Sequence, residues 1–354
     1  MNRADELKQV AFEKKGFDGF AVFNWANMLY LVGVSGAVSL VIPKEGEGTV
    51  YAYGVNYEQV KAESKDFKVE LVKRDESLLA KLADNIKKSK IKKLAVDGLG
   101  AEGWRVLDDR TRAKLEAAGA ILRELRRVKD ADEIALIHQA AALTSEGMKT
   151  AYEALKPGMK EYEVAAEVEY AMRKKGSYGT AFETIVASGV CSAFPHGGCG
   201  DRIIREGDLV VVDAGATFKF YRSDMTRTLV AGKPSEKQVQ LWETVKAAQD
   251  KAFEAIKPGA KARDVDGAAR KVIEAAGYGE CFVHGLGHGV GLEVHEAPTL
   301  NWSSKDVLVA GNVVTDEPGV YVVGFGGVRI EDTVLVVDGG AEKLTSGPYG
   351  LGGE

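Results

Sequence analysis

The stretch Glu153–Gly176, "EALKPGMKEYEVAAEVEYAMRKKG", recurs without a gap at Glu254–Gly277 as "EAIKPGAKARDVDGAARKVIEAAG". Lys156-Pro157-Gly158 falls on Lys257-Pro258-Gly259, Val164 on Val265 and Gly176 on Gly277. Each copy reads as a helix end, a Pro-Gly turn and an amphipathic helix stopped by glycine. Amphipathic helices resemble one another easily, so the strands that follow decide the matter. "GDLVVVDAG" (Gly207–Gly215) falls on "GNVVTDEPG" (Gly311–Gly319), and "RSDMTRTLVAG" (Arg222–Gly232) on "RIEDTVLVVDG" (Arg329–Gly339). Asp213 then meets Glu317, and Asp224 meets Glu331. The carboxylates recur with their scaffold. Two copies of one α/β unit, packed about a pseudo-twofold axis, would bring four acids to one centre.

Asp213 ends "DLVVV", which reads as a buried strand. A buried carboxylate is costly unless it is paired, protonated or on a metal. The step from Asp213 to Asp224 suits two paired strands with both acids on one face. Facing carboxylates repel, and a divalent cation removes that repulsion. Glu317 to Glu331 makes the same step over a longer connection. Ordinary pairing offers another account of each acid singly: Asp213 as a turn acid beside Gly215, Asp224 with Arg222 or Arg227, Glu331 with Arg329. Four acids at repeat-related positions beside a histidine cluster are hard to explain that way.

The chain has five histidines, and three of them lie in "HGLGHGVGLEVHEAP", His284 to Pro298. The glycines around His288 let the backbone pass close to something. One imidazole added to four carboxylates makes an oxygen-rich set, which favours manganese, cobalt, iron or zinc over calcium. Two acids able to bridge, with three terminal ligands, suit a two-metal site that holds a hydroxide between its ions. His284 and His295 read as groups that stand behind the ligands or contact substrate rather than as further ligands. His196, in "SAFPHGGCGDR", is a loop histidine that is ambiguous alone, and His138 reads as a surface or packing residue.

Composition bounds the rest. The chain of 354 residues is 45 % hydrophobic and 28 % charged, as soluble globular proteins are. A net charge of −5 gives no reason to expect a nucleic-acid partner. No apolar run has the length of a membrane span, and the start has no signal-peptide core. A cytoplasmic protein without a membrane partner is expected. Cys191, Cys199 and Cys281 fit no common zinc spacing and read as reduced thiols.

The length suggests two domains, and the basic connector Arg123–Lys129 places a boundary near Val128: 1–127 and 128–354. Ahead of it, "DGFAVFN", "NMLYLVGV", "AVSLVIP" and "KKLAVDG" read as strands. "YEQVKAESK", "ESLLAKLADNIKKSK" and "AEGWRVLDDRTRAKLEAAGA" read as helices, giving α/β patterning. A long helical pattern begins at Leu122.

At "FETIVASGVCSAFPHG", "DLVVVDAGATFKFYRSDMTRTLVAG", "HGLGHGVGLEVHEAP", "TDEPGVYV" and "GVRIEDTVLV" the chain resembles the pita-bread-fold metallopeptidases, in particular the Xaa-Pro dipeptidases (prolidases) and Xaa-Pro aminopeptidases. The resemblance extends loosely to a creatinase-like N-terminal α/β domain, through "DGFAVFNWANMLYLVGVSG". It implies an α/β (α+β) protein whose pita-bread domain carries the repeat. It also implies that Asp213, Asp224, His288, Glu317 and Glu331 hold two divalent ions, Mn2+ or Co2+ ahead of Zn2+ or Fe2+. Asp224 and Glu331 would bridge the ions; Asp213 would complete one, and His288 with Glu317 the other. Glu317 would also be the general base acting on a metal-bridging hydroxide. His196 and His295 would stabilise the tetrahedral intermediate or the proline carbonyl, and His284 would help form the proline pocket. Arg329 would support the site by pairing with a bridging acid, with Tyr221 and Tyr321 as donors behind the ligands.

The implied activity is hydrolysis of Xaa-Pro bonds in di- or short peptides by a homodimer. The N-terminal domain would close over the partner subunit's site and limit substrate length. An aminopeptidase acting on longer peptides is the alternative, with a non-catalytic scaffold as a remote one. Methionine aminopeptidases share the ligand pattern but lack an N-terminal domain of this size. Asp316 stands where family members often carry an apolar residue, and on a strand it should face away from Glu317.

Overall fold

The computed structural model describes residues 2–352, which divide into two compact units with the division at Arg126/Arg127. In the first, helix α1 (Arg3–Lys8) runs into a π-helical turn, and the strands alternate with helices: β1 (Gly19–Val22), α2 (Trp25–Val32), β2 (Ala37–Pro43), β3 (Thr49–Tyr53), α3 (Gly54–Glu63), β4 (Lys68–Val72), α4 (Leu78–Lys88), β5 (Lys93–Val96), α5 (Ala101–Thr111), β6 (Lys114–Ala117) and α6 (Gly119–Arg127). The six strands form one mixed sheet in the order β4-β3-β2-β1-β5-β6. Leu82 and Ile86 of α4 and Leu107 of α5 pack with Leu94, Val41 and Tyr51 of the sheet.

Two expectations fail in this unit. "NMLYLVGV" is not a strand but most of α2. Asn24 caps it by accepting from the Asn27 N–H, and Gly33, at φ +76°, ends it. Residues Ala26–Leu31 are all buried, so the apolar run carries no period that separates helix from strand. The helix expected from Ala101 through Ala120 stops at Arg112, which turns to φ +56° and starts edge strand β6. Strands β3 and β4 were not anticipated.

The second unit opens with α7 (Ala131–Ala154), where Asp130 and Glu133 form a capping box. That cap breaks the helical pattern that begins at Leu122. Then follow α8 (Glu161–Lys174), β7 (Gly179–Thr180), β8 (Ile185–Ser188), β9 (Leu209–Ala214), β10 (Ala216–Phe218), β11 (Tyr221–Arg222) and β12 (Met225–Val230). The second copy comprises α9 (Glu236–Ala255), α10 (Ala262–Ala275), β13 (Gly287–Gly289), β14 (Glu296–Leu300), β15 (Val313–Asp316), β16 (Gly319–Val322), β17 (Gly326–Arg329), β18 (Asp332–Val337) and β19 (Gly340–Lys343). Sheet β8-β9-β12 answers to β13-β15-β18, and each copy inserts a hairpin, β10-β11 or β16-β17, between its two acid-bearing strands.

The repeat holds at the level of single hydrogen bonds. Gly158 N–H donates to the Ile204 carbonyl and Gly259 N–H to that of Leu308, both at 2.8 Å. Gly158 and Gly259 have φ of +96° and +85°, and Gly176 and Gly277 +110° and +83°. These positions favour glycine, which explains why they recur. No helix among the described residues is long and apolar enough to cross a membrane.

Candidate metal centre and pocket

Strand β9 pairs antiparallel with β12, and Asp213 lies across from Thr226. Asp224, two residues before Thr226, therefore shares Asp213's face as a diagonal neighbour. Strand β15 pairs with β18, with Asp316 across from Asp332, so Glu317 and Glu331 follow at the end of that ladder. The copies meet at a seam of threonines. Thr226 donates its hydroxyl to Glu331 at 2.6 Å, and Thr333 donates to the Asp224 carbonyl at 2.7 Å. Donor atoms of Asp224, His288 and Glu331 all lie within 4.8 Å of one another.

His288 enters on β13, which runs between β14 and β15. A Cβ on Gly287 would lie 2.2 Å from the Thr315 carbonyl oxygen, and one on Gly289 2.3 Å from that of Ala297. The glycines are what let this strand lie so close to its neighbours. His288 Nδ1 faces the Gly289 carbonyl at 3.1 Å. Nε2 is 3.2 Å from Glu317 and 3.8 Å from Asp224. Thr315 accepts from the His288 N–H and donates to Glu317.

The acids are buried together, and burial and mutual repulsion shift their pKa values. Burial and the neighbouring Asp213 push Asp224 well above the usual carboxylate range, and burial with Asp224 does the same to Glu331. Burial also raises Asp213, against the pull of Arg329. Burial would raise Glu317 too, but the hydrogen bond and charge of His288 hold it at about 2. Burial alone would lower His288; Glu317 and Asp224 raise it to about 9. Oδ1 of Asp213 and Oδ1 of Asp224 are buried without a hydrogen-bond partner among the described residues. Unsatisfied carboxylate oxygens and an inward imidazole nitrogen fit a divalent cation.

The arginines make other pairings than those expected. Arg329 is held by Asp213 at 2.6 Å, not by Asp224 or Glu331. Arg227 takes Asp332, and Arg222 donates to the Ala181 carbonyl. Arg329 also donates to the Tyr321 hydroxyl at 2.8 Å, and that hydroxyl lies 2.9 Å from His284 Nε2. His284 Nδ1 faces the Gly285 carbonyl at 2.8 Å, so a consistent chain runs from Arg329 through Tyr321 to His284. Burial raises Tyr321 to about 12 and lowers His284.

A pocket of about 540 Å3 opens over these groups, lined also by His196, His295, Phe182, Ile185, Pro195 and Val294. His196 and His295 are exposed at its edge, and the His295 ring packs against His288 with centroids 4.2 Å apart. Tyr221 is not brought into the pocket: it donates to Glu133 of α7 at 2.8 Å. His138 is half-buried on α7. Asp316 is fully buried and both its oxygens lack a partner among the described residues, and burial pushes it well above the usual carboxylate range. The seam threonines were missed, although the repeat alignment that pairs Asp224 with Glu331 also pairs Thr226 with Thr333.

Residues 135–338 match metallopeptidase family M24, and residues 6–128 match the creatinase/prolidase N-terminal domain. The chain belongs to metallopeptidase family M24, and membership implies divalent metal ions. An Xaa-Pro dipeptidase of Pyrococcus furiosus is 39 % identical, over 94 % of each chain. The structure of an Xaa-Pro dipeptidase from Bacillus anthracis superposes with a TM-score of 0.94 at 33 % identity, over 99 % of each chain. That of an X-Pro aminopeptidase from Thermotoga maritima gives 0.92 at 34 % identity, over 100 % of each.

Proposed function

We propose that this protein is an Xaa-Pro dipeptidase whose residues 128–354 form the catalytic domain, with residues 1–127 as a separate N-terminal domain. The observation that carries the reading is the convergence of Asp224, His288 and Glu331 within 4.8 Å beneath a peptide-sized pocket. Likeness to the Pyrococcus furiosus dipeptidase over nearly the whole chain supports it.

Asp213, Asp224, His288, Glu317 and Glu331 would hold two divalent ions, Mn2+ or Co2+ ahead of Zn2+ or Fe2+. Bound there, the ions would acidify a water and polarise the scissile carbonyl. The protein's own groups do the rest. Glu317, ionised at neutral pH, accepts the proton of the attacking water. His196 and His295, at the pocket edge, donate hydrogen bonds to the substrate as charge builds on its carbonyl oxygen. Phe182, Ile185, Pro195 and Val294 offer apolar surface to a pyrrolidine ring, which has no N–H to satisfy. Arg329 and Tyr321 hold Asp213 and His284 in place. The same reading takes the protein as a homodimer, which sedimentation velocity checks.

The test is hydrolysis of Met-Pro against that of a Met-Pro-Yaa tripeptide, with protein stripped of metal and reloaded with Mn2+ or Co2+. Metal-dependent release of proline from the dipeptide is expected. Cleavage of the tripeptide alone would turn the reading to an aminopeptidase. Failure on both substrates at full metal loading would remove the proline-peptidase reading.

A further inference from the structure

We propose that Glu161 is a positioning residue: one buried carboxylate that closes the base of the loop carrying His196 and so fixes that imidazole at the pocket edge. The proposal rests on the reading of His196 as a substrate-contacting group. Glu161 is the first residue of α8 and is 3 % exposed. Its Oε1 accepts from both the N–H and the hydroxyl of Ser188, at 2.8 and 2.6 Å. Its Oε2 accepts from the Gly200 N–H at 2.9 Å. Ser188 is the last residue of β8, and Gly200 lies on the returning side of the loop. The two oxygens of one side chain therefore bind the two ends of residues 189–199.

The surroundings are shaped for this contact. A Cβ at Gly200 would sit 3.2 Å from Glu161 Oε2, closer than such contacts usually come. Arg202 donates to the Ser188 hydroxyl and to Asp208, so the cluster holds a cation as well as two acids. Gly189, at φ +55°, makes room for it: a Cβ there would lie 2.3 Å from Arg202 Nη2. Farther along the loop, Ser192 Oγ accepts from the Gly327 N–H at 2.9 Å, and the Pro195 carbonyl accepts from Arg329 at 3.2 Å. With base and middle fixed, His196 has little freedom in where it stands.

The second copy of the repeat uses a parallel device. Asp266 of α10 accepts from the Leu286 N–H and pairs with Arg270 through both oxygens. Arg270 in turn donates to the carbonyls of Phe282 and His284, both at 3.0 Å. In each copy the helix after the Pro-Gly turn carries a buried acid, and that acid organises the histidine-bearing segment.

The experiment uses full-length, metal-loaded protein and two variants, Glu161→Gln and His196→Ala, singly and together. A glutamine presents one carbonyl and one NH2 group, so it serves only one end of the loop. Amide exchange over residues 189–200 is expected to quicken by about 10-fold as those hydrogen bonds open. For Met-Pro, kcat is expected to fall by about 10- to 100-fold with KM changed by less than about 3-fold, because misplacement of a substrate-contacting group weakens the transition state most. In the His196→Ala background the same substitution should add less than about a 3-fold loss. Equal losses in both backgrounds, or unaltered exchange, overturn the proposal. Full activity in His196→Ala also overturns it, while metal-dependent Met-Pro turnover by the unaltered protein leaves the dipeptidase reading standing. If Glu161→Gln does not fold, Ser188→Ala, which removes the hydroxyl and its contacts to Glu161 and Arg202 but keeps the Ser188 N–H contact to Glu161, carries the same cycle with a loss of about 3-fold expected.

Discussion

Arg329 and Asp213 join the two copies of the repeat: Nη2 of one lies 2.6 Å from Oδ2 of the other, and both side chains are buried. Arg329→Met keeps much of the stem and removes the charge, so Asp213 is left buried without its cation. The expected loss is about 3–5 kcal/mol of stability. Urea unfolding of metal-free protein measures it, and a loss below about 1 kcal/mol would show that Asp213 finds other compensation.

Metal and stability should be linked through Asp224. Each bound ion stabilises the folded chain by about 2.7 kcal/mol when free metal is a hundred times its Kd. Asp224→Asn is expected to remove metal-dependent Met-Pro turnover and most of the metal-induced rise in Tm. Metal-free Asp224→Asn should be no less stable than the metal-free parent, because one of the crowded carboxylates is gone. Retention of the full metal-induced Tm rise in the variant would count against Asp224 as a shared ligand.

Two glycines make a sharp contrast. A Cβ at Gly287 would come within 2.2 Å of a backbone carbonyl, whereas one at Gly267, inside α10, would meet nothing within 4 Å. Gly287→Ala is expected to cost about 1–3 kcal/mol and to move His288 off Glu317. Gly267→Ala should instead stabilise by about 0.4–1 kcal/mol through the unfolded chain. Thermal unfolding of both variants is the check; equal signs would contradict the account of β13.

Lys129 and Glu296 form a buried ion pair at 2.6 Å, and Glu296 follows His295 directly. A Cβ on Gly291 would lie 2.4 Å from Glu296 Oε1, so the glycine-rich segment also accommodates this pair. Lys129→Met alone should cost about 3–5 kcal/mol. Lys129→Met with Glu296→Leu should recover most of that loss, because no charge is then left unmatched. A double variant no more stable than the single would place the cost in lost packing.

Much of this was legible because the signals were local and repeated. "DLVVVDAG" reads as a buried strand since every residue of β9 is buried, and Pro-Gly turns announce α8 and α10. The four acids were found by alignment of the copies. What stayed hidden depends on partners remote in sequence. No spacing says that Arg329 chooses Asp213, or that Tyr221 bonds to Glu133. Burial on every side hid α2, because a run without polar positions has no period. Strand alternation turns Asp316 away from Glu317, but its full burial and its lack of a partner among the described residues are visible only in three dimensions.

The duplication makes turnover a proximity sensor. Asp213 and Asp224 come from one copy, and His288, Glu317 and Glu331 from the other, so neither copy carries the proposed ligand set alone. A chain opened in the connection Gly232–Ser235, between β12 and α9, would separate the two contributions. Hydrolysis would then report reassociation of the fragments, and the threonine seam of Thr226 and Thr333 would act as an interface between molecules. Two-fragment complementation thus follows from the repeat that opens the sequence.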